Sequence, residues 1–239
     1  MVYWLYIIVS ILILPGIVFG IVAQVNVSNT FNSFKDVASS SGKTASEVAR
    51  EMLDQAGLQD VQIQTIRGEL TDNYDPRKRI LSLSESTYSS TSVAAIGVAA
   101  HEVGHAIQHK EKYAPLVLRN TFVPFVNFAS HMFWPLMIVG VILNIMIATS
   151  SAGIVLIWIS VALYGSTTLF YLITVPVEYN ASNRALEMLG RGILATEELP
   201  YANKVLRAAG QTYVAALITS ALYFLQFLLR ILIIFGKRD

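Results

Sequence analysis

The chain has 239 residues, 54% of them hydrophobic, and a mean hydropathy of +0.54, too apolar for an ordinary soluble domain and indicative of a membrane protein. A net charge of +1 gives no electrostatic case for nucleic acid. The absence of cysteine excludes disulfides and thiolate-held metal centres, so any metal must be held by His and carboxylates.

Val2 to about Val22 is uncharged and long enough to cross a bilayer. It lacks the basic leader and small-residue cleavage site of a signal peptide, and reads as a retained transmembrane helix over about 2–23. Charges become frequent from Asn26 to Ser92. Thr44-Ala-Ser-Glu47 has the form of a capping box, Val48, Met52, Leu53 and Ala56 continue an amphipathic helix, and Gly57 can end it. Val61 to Ile66 alternates apolar and polar residues as a half-buried strand does. The charged turn Asp75-Pro-Arg-Lys-Arg79 leads into a second short strand, Ile80-Leu-Ser-Leu-Ser84. The run from Ser92 to His109 is alanine-rich, free of proline and apolar nearly all round, which predicts a buried helix. Its small residues Ala94, Ala95, Gly97, Ala99, Ala100 and Gly104 would let neighbouring backbones approach closely.

Two further apolar segments, about 132–148 and 154–175, flank the small uncharged linker Thr149 to Gly153 and read as a transmembrane hairpin, with Asn144 and the Ser and Thr residues of its second arm as interhelical hydrogen-bonding groups. Pro176 suits the first turn of a new helix, Val177 to Leu189, and Thr196-Glu-Glu-Leu-Pro another helix start. A last apolar segment covers about 213–235. The expectation is a mainly α membrane protein, a single integral-membrane domain over 1–239, with about four transmembrane helices and a small α+β zincin-like unit built from the extramembrane segments 24–130 and 176–212. Four spans put both of those segments on one side of the membrane. Fourteen of the seventeen Lys and Arg residues lie in them and none in the hairpin tip, so that face is expected to be cytoplasmic.

Chemistry concentrates in His101-Glu-Val-Gly-His105. On a helix, His101 and His105 are one turn apart on one face and can converge on one ion, while Glu102 lies about 100° round the helix, within reach of an attacking water. Two ligands and a general base from one turn is the zincin arrangement, with Zn²⁺ as the implied metal. A third ligand must come from elsewhere. His109 is a poor candidate: in a continuous helix its Cα would be about 12 Å from that of His101, and no glycine lies between His105 and His109 to break the turn. Glu178, just after the hairpin on the expected side, is a candidate whose simpler role is a favourable charge at a helix N-terminus. Glu187 is a weaker rival.

Taken with the membrane hairpin and Pro176-Val-Glu-Tyr-Asn-Ala-Ser182, the motif resembles the YugP-type neutral zinc metallopeptidases, a family of bacterial membrane proteins. The resemblance extends to Ser46-Glu-Val-Ala-Arg50, Tyr74-Asp-Pro-Arg77, Leu83-Ser-Glu85 and Glu198-Leu-Pro200, and so covers most of the chain. More widely the chain is similar to gluzincin membrane proteases of the HtpX and CAAX prenyl protease type. That resemblance implies Glu178 as the third zinc ligand, and it implies an Asp four residues later, where this chain has Ser182 instead. A zinc endopeptidase also needs a donor for the developing oxyanion, with Arg184, Tyr88 and Tyr179 as candidates. Strand Ile80, Leu81, Ser82, Leu83, Ser84 is expected to pair with an extended peptide substrate. The implied partners are the lipid bilayer, protein or peptide substrates, and a membrane-protein partner or second copy. The rival reading is a membrane scaffold with a structural zinc site, which would have no use for Glu102.

Overall fold

The computed structural model describes residues 2–147 and 151–235. Four long helices carry the apolar segments: α1 (Val2–Phe34), α5 (Ala114–Met146), α6 (Ser151–Leu189) and α7 (Leu199–Phe235). Each is long and apolar enough to cross a membrane. At about 1.5 Å per residue a helix of 33 residues, such as α1, extends to about 50 Å, more than a hydrocarbon core of about 30 Å requires. The chain forms two compact units, one of Met1–Ile21, Leu118–Val175 and Tyr213–Asp239, the other of Val22–Val117 and Pro176–Thr212.

The first unit exposes large apolar side chains, among them Trp4, Ile11, Leu14, Trp134 and Ile145, as a lipid-facing surface does. Inside it Phe133 packs on Tyr164 and Phe227 at ring-centroid distances of 5.0 and 5.5 Å. The hydroxyls of α6 divide in role. Thr168 reaches Ser220 of α7 at 2.8 Å, whereas Ser160, Ser166 and Thr174 bond back to carbonyls of their own helix. In the hairpin linker, Thr149 and Ser150 lie outside the described residues.

The second unit begins its globular part with α2 (Ala45–Gln55), held by the reciprocal capping box of Thr44 and Glu47 and followed by Gly57 at a left-handed φ of 67°. Strands β1 (Gln62–Ile66), β2 (Asn73–Asp75) and β3 (Ile80–Ser84) form a sheet in the order β1-β3-β2, with β1 parallel and β2 antiparallel to β3. Asp75 shapes the β2–β3 turn by accepting the backbone N–H groups of Arg77 and Lys78. A short helix α3 (Glu85–Tyr88) leads into α4 (Val93–Lys110), whose N-cap Ser92 accepts the Ala95 N–H. Apolar faces of α2, β3 and α4 meet in one core containing Val48, Met52, Leu53, Leu81, Leu83, Ile96 and Val103, together with Leu189 of α6 and Leu206 of α7.

Two expectations change. The strand Ile80–Ser84 is the middle of the sheet: β1 pairs along its whole length and β2 covers Ile80 to Ser82 on the other side. From Ile80 to Ser82 both edges are paired, so a substrate peptide cannot add along that stretch as expected from the sequence. Pro176 does not begin a helix but lies inside α6. Proline removes one backbone hydrogen bond, which a long apolar helix tolerates when its neighbours are packed. Glu178 therefore lies well inside a continuous helix, and the terminal-dipole account of it fails.

The crossing of α4 and α6 depends on Gly104. A Cβ there would stand 3.0 Å from the carbonyl carbon of Ala181 and closer still to its oxygen. The obstruction is backbone, so no rotamer change relieves it. Gly104→Ala should lose about 1–3 kcal/mol to overpacking, outweighing the roughly 1 kcal/mol of helix propensity that alanine gains. A thermal midpoint in detergent at or above wild type would contradict this account of the crossing.

Candidate metal centre

The helix α4 presents His101 and His105 from successive turns, their rings edge to face with centroids 4.8 Å apart. Opposite them α6 supplies Glu178, whose side chain is 2% exposed. The Oε2 atom of Glu178 is 3.2 Å from His101 Nε2 and 3.5 Å from His105 Nε2. One potential ligand atom from each of the three residues lies within 4.8 Å of the others. Ligands held at 2.0–2.1 Å round a tetrahedral zinc are separated by about 3.3 Å, so these spacings suit a shared ion as well as hydrogen bonds. A buried carboxylate needs a cationic partner, and imidazole nitrogen with carboxylate oxygen is a donor set that zinc accepts. The residues present therefore fit the metal.

Each ring is held from behind. His101 Nδ1 is 3.1 Å from Ser182 Oγ, four residues after Glu178 on the same helix. A hydroxyl thus occupies the place where the resemblance implied a carboxylate, and it still orients the ring, without adding charge. His105 Nδ1 is 3.0 Å from Oε1 of Gln108, a fully buried residue that the sequence reading did not single out. The Gln108 amide donates to Val177 O at 2.9 Å and to Asn180 Oδ1 at 2.8 Å. No local pattern marks these partners, because they are polar residues on two helices about seventy positions apart.

Glu102 is half-buried on α4 and its carboxylate has no hydrogen-bond partner among the described residues. Burial pushes its pKa up, the neighbouring His105 and His101 oppose the rise, and the negative charges of Glu178 and Asp72 add to it. His109 stands apart from the cluster near the end of α4, its Nδ1 3.0 Å from the Tyr74 hydroxyl. Glu187 is exposed and pairs with Arg191 at 2.7 Å. The oxyanion candidates are placed as follows. Arg184 donates from Nε to Asn180 Oδ1 and pairs with Glu111 at 2.7 Å. Tyr179 packs its ring against Gly210 of α7. Tyr88 lines a surface groove with Ile63 and α2. None of the three is bonded to the His–Glu cluster among the described residues.

A family model described as "Putative neutral zinc metallopeptidase" matches residues 9–232. The chain belongs to that family. A relative, "Putative membrane protease YugP" of Bacillus subtilis (strain 168), is 43% identical over 218 residues, which cover 91% of this chain and 92% of that protein. No solved structure matches the chain.

Protonation of the metal-free cluster has a readable consequence. Burial would lower the His105 pKa, but the hydrogen bond it donates to Glu178 and the charges of Glu102 and Glu178 raise it above 6.5. Burial would raise the Glu178 pKa, but hydrogen bonds from both rings and their charge hold it well below 4.5. The His105 contribution to stability is complete below about pH 6.5 and lost as pH rises through its folded pKa; that of Glu178 is complete above about pH 4.5 and lost as pH falls. In chelator-treated protein, the gap in thermal midpoint between wild type and Glu178→Gln should be widest between about pH 4.5 and 6.5 and shrink above it. A gap that keeps widening towards pH 9 would contradict the pairing.

Proposed function

We propose that this chain is a membrane-embedded zinc endopeptidase that cleaves peptide bonds in membrane or membrane-associated proteins, with the apolar helices as its anchor. The observation that carries the reading is the convergence of His101 Nε2, His105 Nε2 and the buried Glu178 carboxylate beside a Glu102 whose carboxylate has no hydrogen-bond partner among the described residues. Three protein donors suit the open, catalytic type of zinc site, as in the gluzincins, better than a closed structural one with four. Bound zinc would supply Lewis-acid polarisation of the scissile carbonyl and lower the pKa of an attacking water.

The remaining work belongs to the chain. His101, His105 and Glu178 hold the ion, and Ser182 orients the first ring. Glu102 removes a proton from the attacking water as its oxygen bonds to the peptide carbon. The same carboxyl then returns that proton to the leaving nitrogen as the C–N bond breaks, so acid and base are one group. Its raised pKa makes it a stronger base than an exposed glutamate. Glu102→Gln should retain zinc and lower the turnover of a peptide substrate by about 10²–10⁴-fold. A variant with wild-type turnover would remove Glu102 from this role.

The basic residues of segments 24–130 and 176–212 support a cytoplasmic active site. The chain has no cysteine of its own, so single cysteines report topology cleanly. Gln59 and Ser151 are both exposed. On intact cells an impermeant maleimide should label Ser151→Cys and spare Gln59→Cys; the opposite pattern would invert the orientation.

A further inference from the structure

The hydrogen bonds behind His105 determine more than its position. Gln108 is fully buried, and its amide nitrogen faces two oxygens, Val177 O and Asn180 Oδ1. A backbone carbonyl can only accept. The Asn180 oxygen is identified in turn by Arg184, whose Nε–H can only donate and points at it from 2.8 Å. Arg184 is itself held by Glu111 at 2.7 Å and lies over the Tyr113 ring. Reversing the Gln108 amide would set its oxygen against the oxygens of Val177 and Asn180 in a buried place, with no hydrogen between them. The amide therefore has one orientation, and Oε1 faces His105. That oxygen carries no hydrogen, so the proton between them must be on His105 Nδ1.

We propose that Gln108 is a positioning residue that holds a proton on His105 Nδ1, so that Nε2 is the nitrogen offered to a metal beside Glu178, and that Asn180 and Arg184 hold Gln108 in that orientation. The two histidines are then not equivalent. His101 Nδ1 faces a Ser182 hydroxyl that can donate or accept, so nothing on that side requires a proton there, whereas Gln108 Oε1 requires one on His105 Nδ1. Arg184 acts at the far end of this chain of bonds and not on the reacting atoms. The metal-affinity part of the proposal rests on the zinc reading above; the tautomer itself does not.

The test uses the whole protein in detergent. With four histidines in the chain, ring-¹⁵N labelling gives a short spectrum, and the His105 signal is the one missing from His105→Ala. In metal-free Glu178→Ala protein at pH 9, where no carboxylate competes for the Nε2 proton, His105 should carry its proton on Nδ1; a dominant Nε2–H form would overturn the proposal whatever the other variants do. Gln108→Met, similar in size and lacking the acceptor, should shift His105 towards Nε2–H and weaken zinc binding by about 10–100-fold against a competing chelator. Wild-type zinc affinity in a folded Gln108→Met protein would also overturn it. If that variant does not fold, the His105 tautomer in Glu178→Ala alone decides. A wild type that takes up no zinc would refute the metal reading and leave the tautomer result standing.

Discussion

The distance between α4 and α6 is limited by one missing side chain. Gly104 sits between the two histidines on α4, in close contact with the backbone of α6 at Ala181. That approach sets Glu178 and Ser182 on either side of the contact, within 3.2 Å of one ring nitrogen and 3.1 Å of another. A larger residue would push the helices apart by tenths of an ångström, and a site that must hold three donors round one ion has little tolerance for that. The glycine within His101-Glu-Val-Gly-His105 is thus part of the chemistry although it carries no functional group.

Burial of Glu178 follows from the same packing and sets the electrostatics of the centre. A carboxylate 2% exposed needs compensating charge, and in the metal-free protein the His105 ring beside it has its pKa raised by that carboxylate against the effect of burial. A zinc ion supplies the same compensation in another form, which links proton release to metal uptake. Glu102 is one residue along from His101 yet remains outside this pairing, and burial raises its pKa while that of Glu178 falls. Two glutamates with pKa values moved in opposite directions can divide the roles of base and ligand.

Local chemistry made much of this legible in the sequence. The Thr44–Glu47 capping box, the left-handed Gly57, the strands near 62–66 and 80–84 and the one-turn spacing of the histidines each follow from patterns within a few residues. Glu178 needed more. Its local setting pointed equally to a helix terminus, and it was the resemblance of the surrounding segment that implied a ligand. What escaped depends on partners far along the chain. The strand β2 has three residues and no alternation to betray it, yet its pairing converts β3 from an available edge into the sheet centre. Pro176 carries the local signature of a helix start, and the apolar residues on both sides override it. The bonds from His105 through Gln108 and Asn180 to Arg184 join groups that only the helix crossing brings together.

The central claim is one zinc ion held by two histidines and Glu178. X-ray absorption at the zinc edge of the purified, zinc-loaded protein tests it most directly. The expected spectrum has nitrogen and oxygen neighbours at about 2.0–2.1 Å, the multiple scattering of two imidazoles, and an altered first shell or loss of zinc in Glu178→Ala. A three-imidazole shell, or a spectrum that Glu178→Ala leaves unchanged, would contradict it.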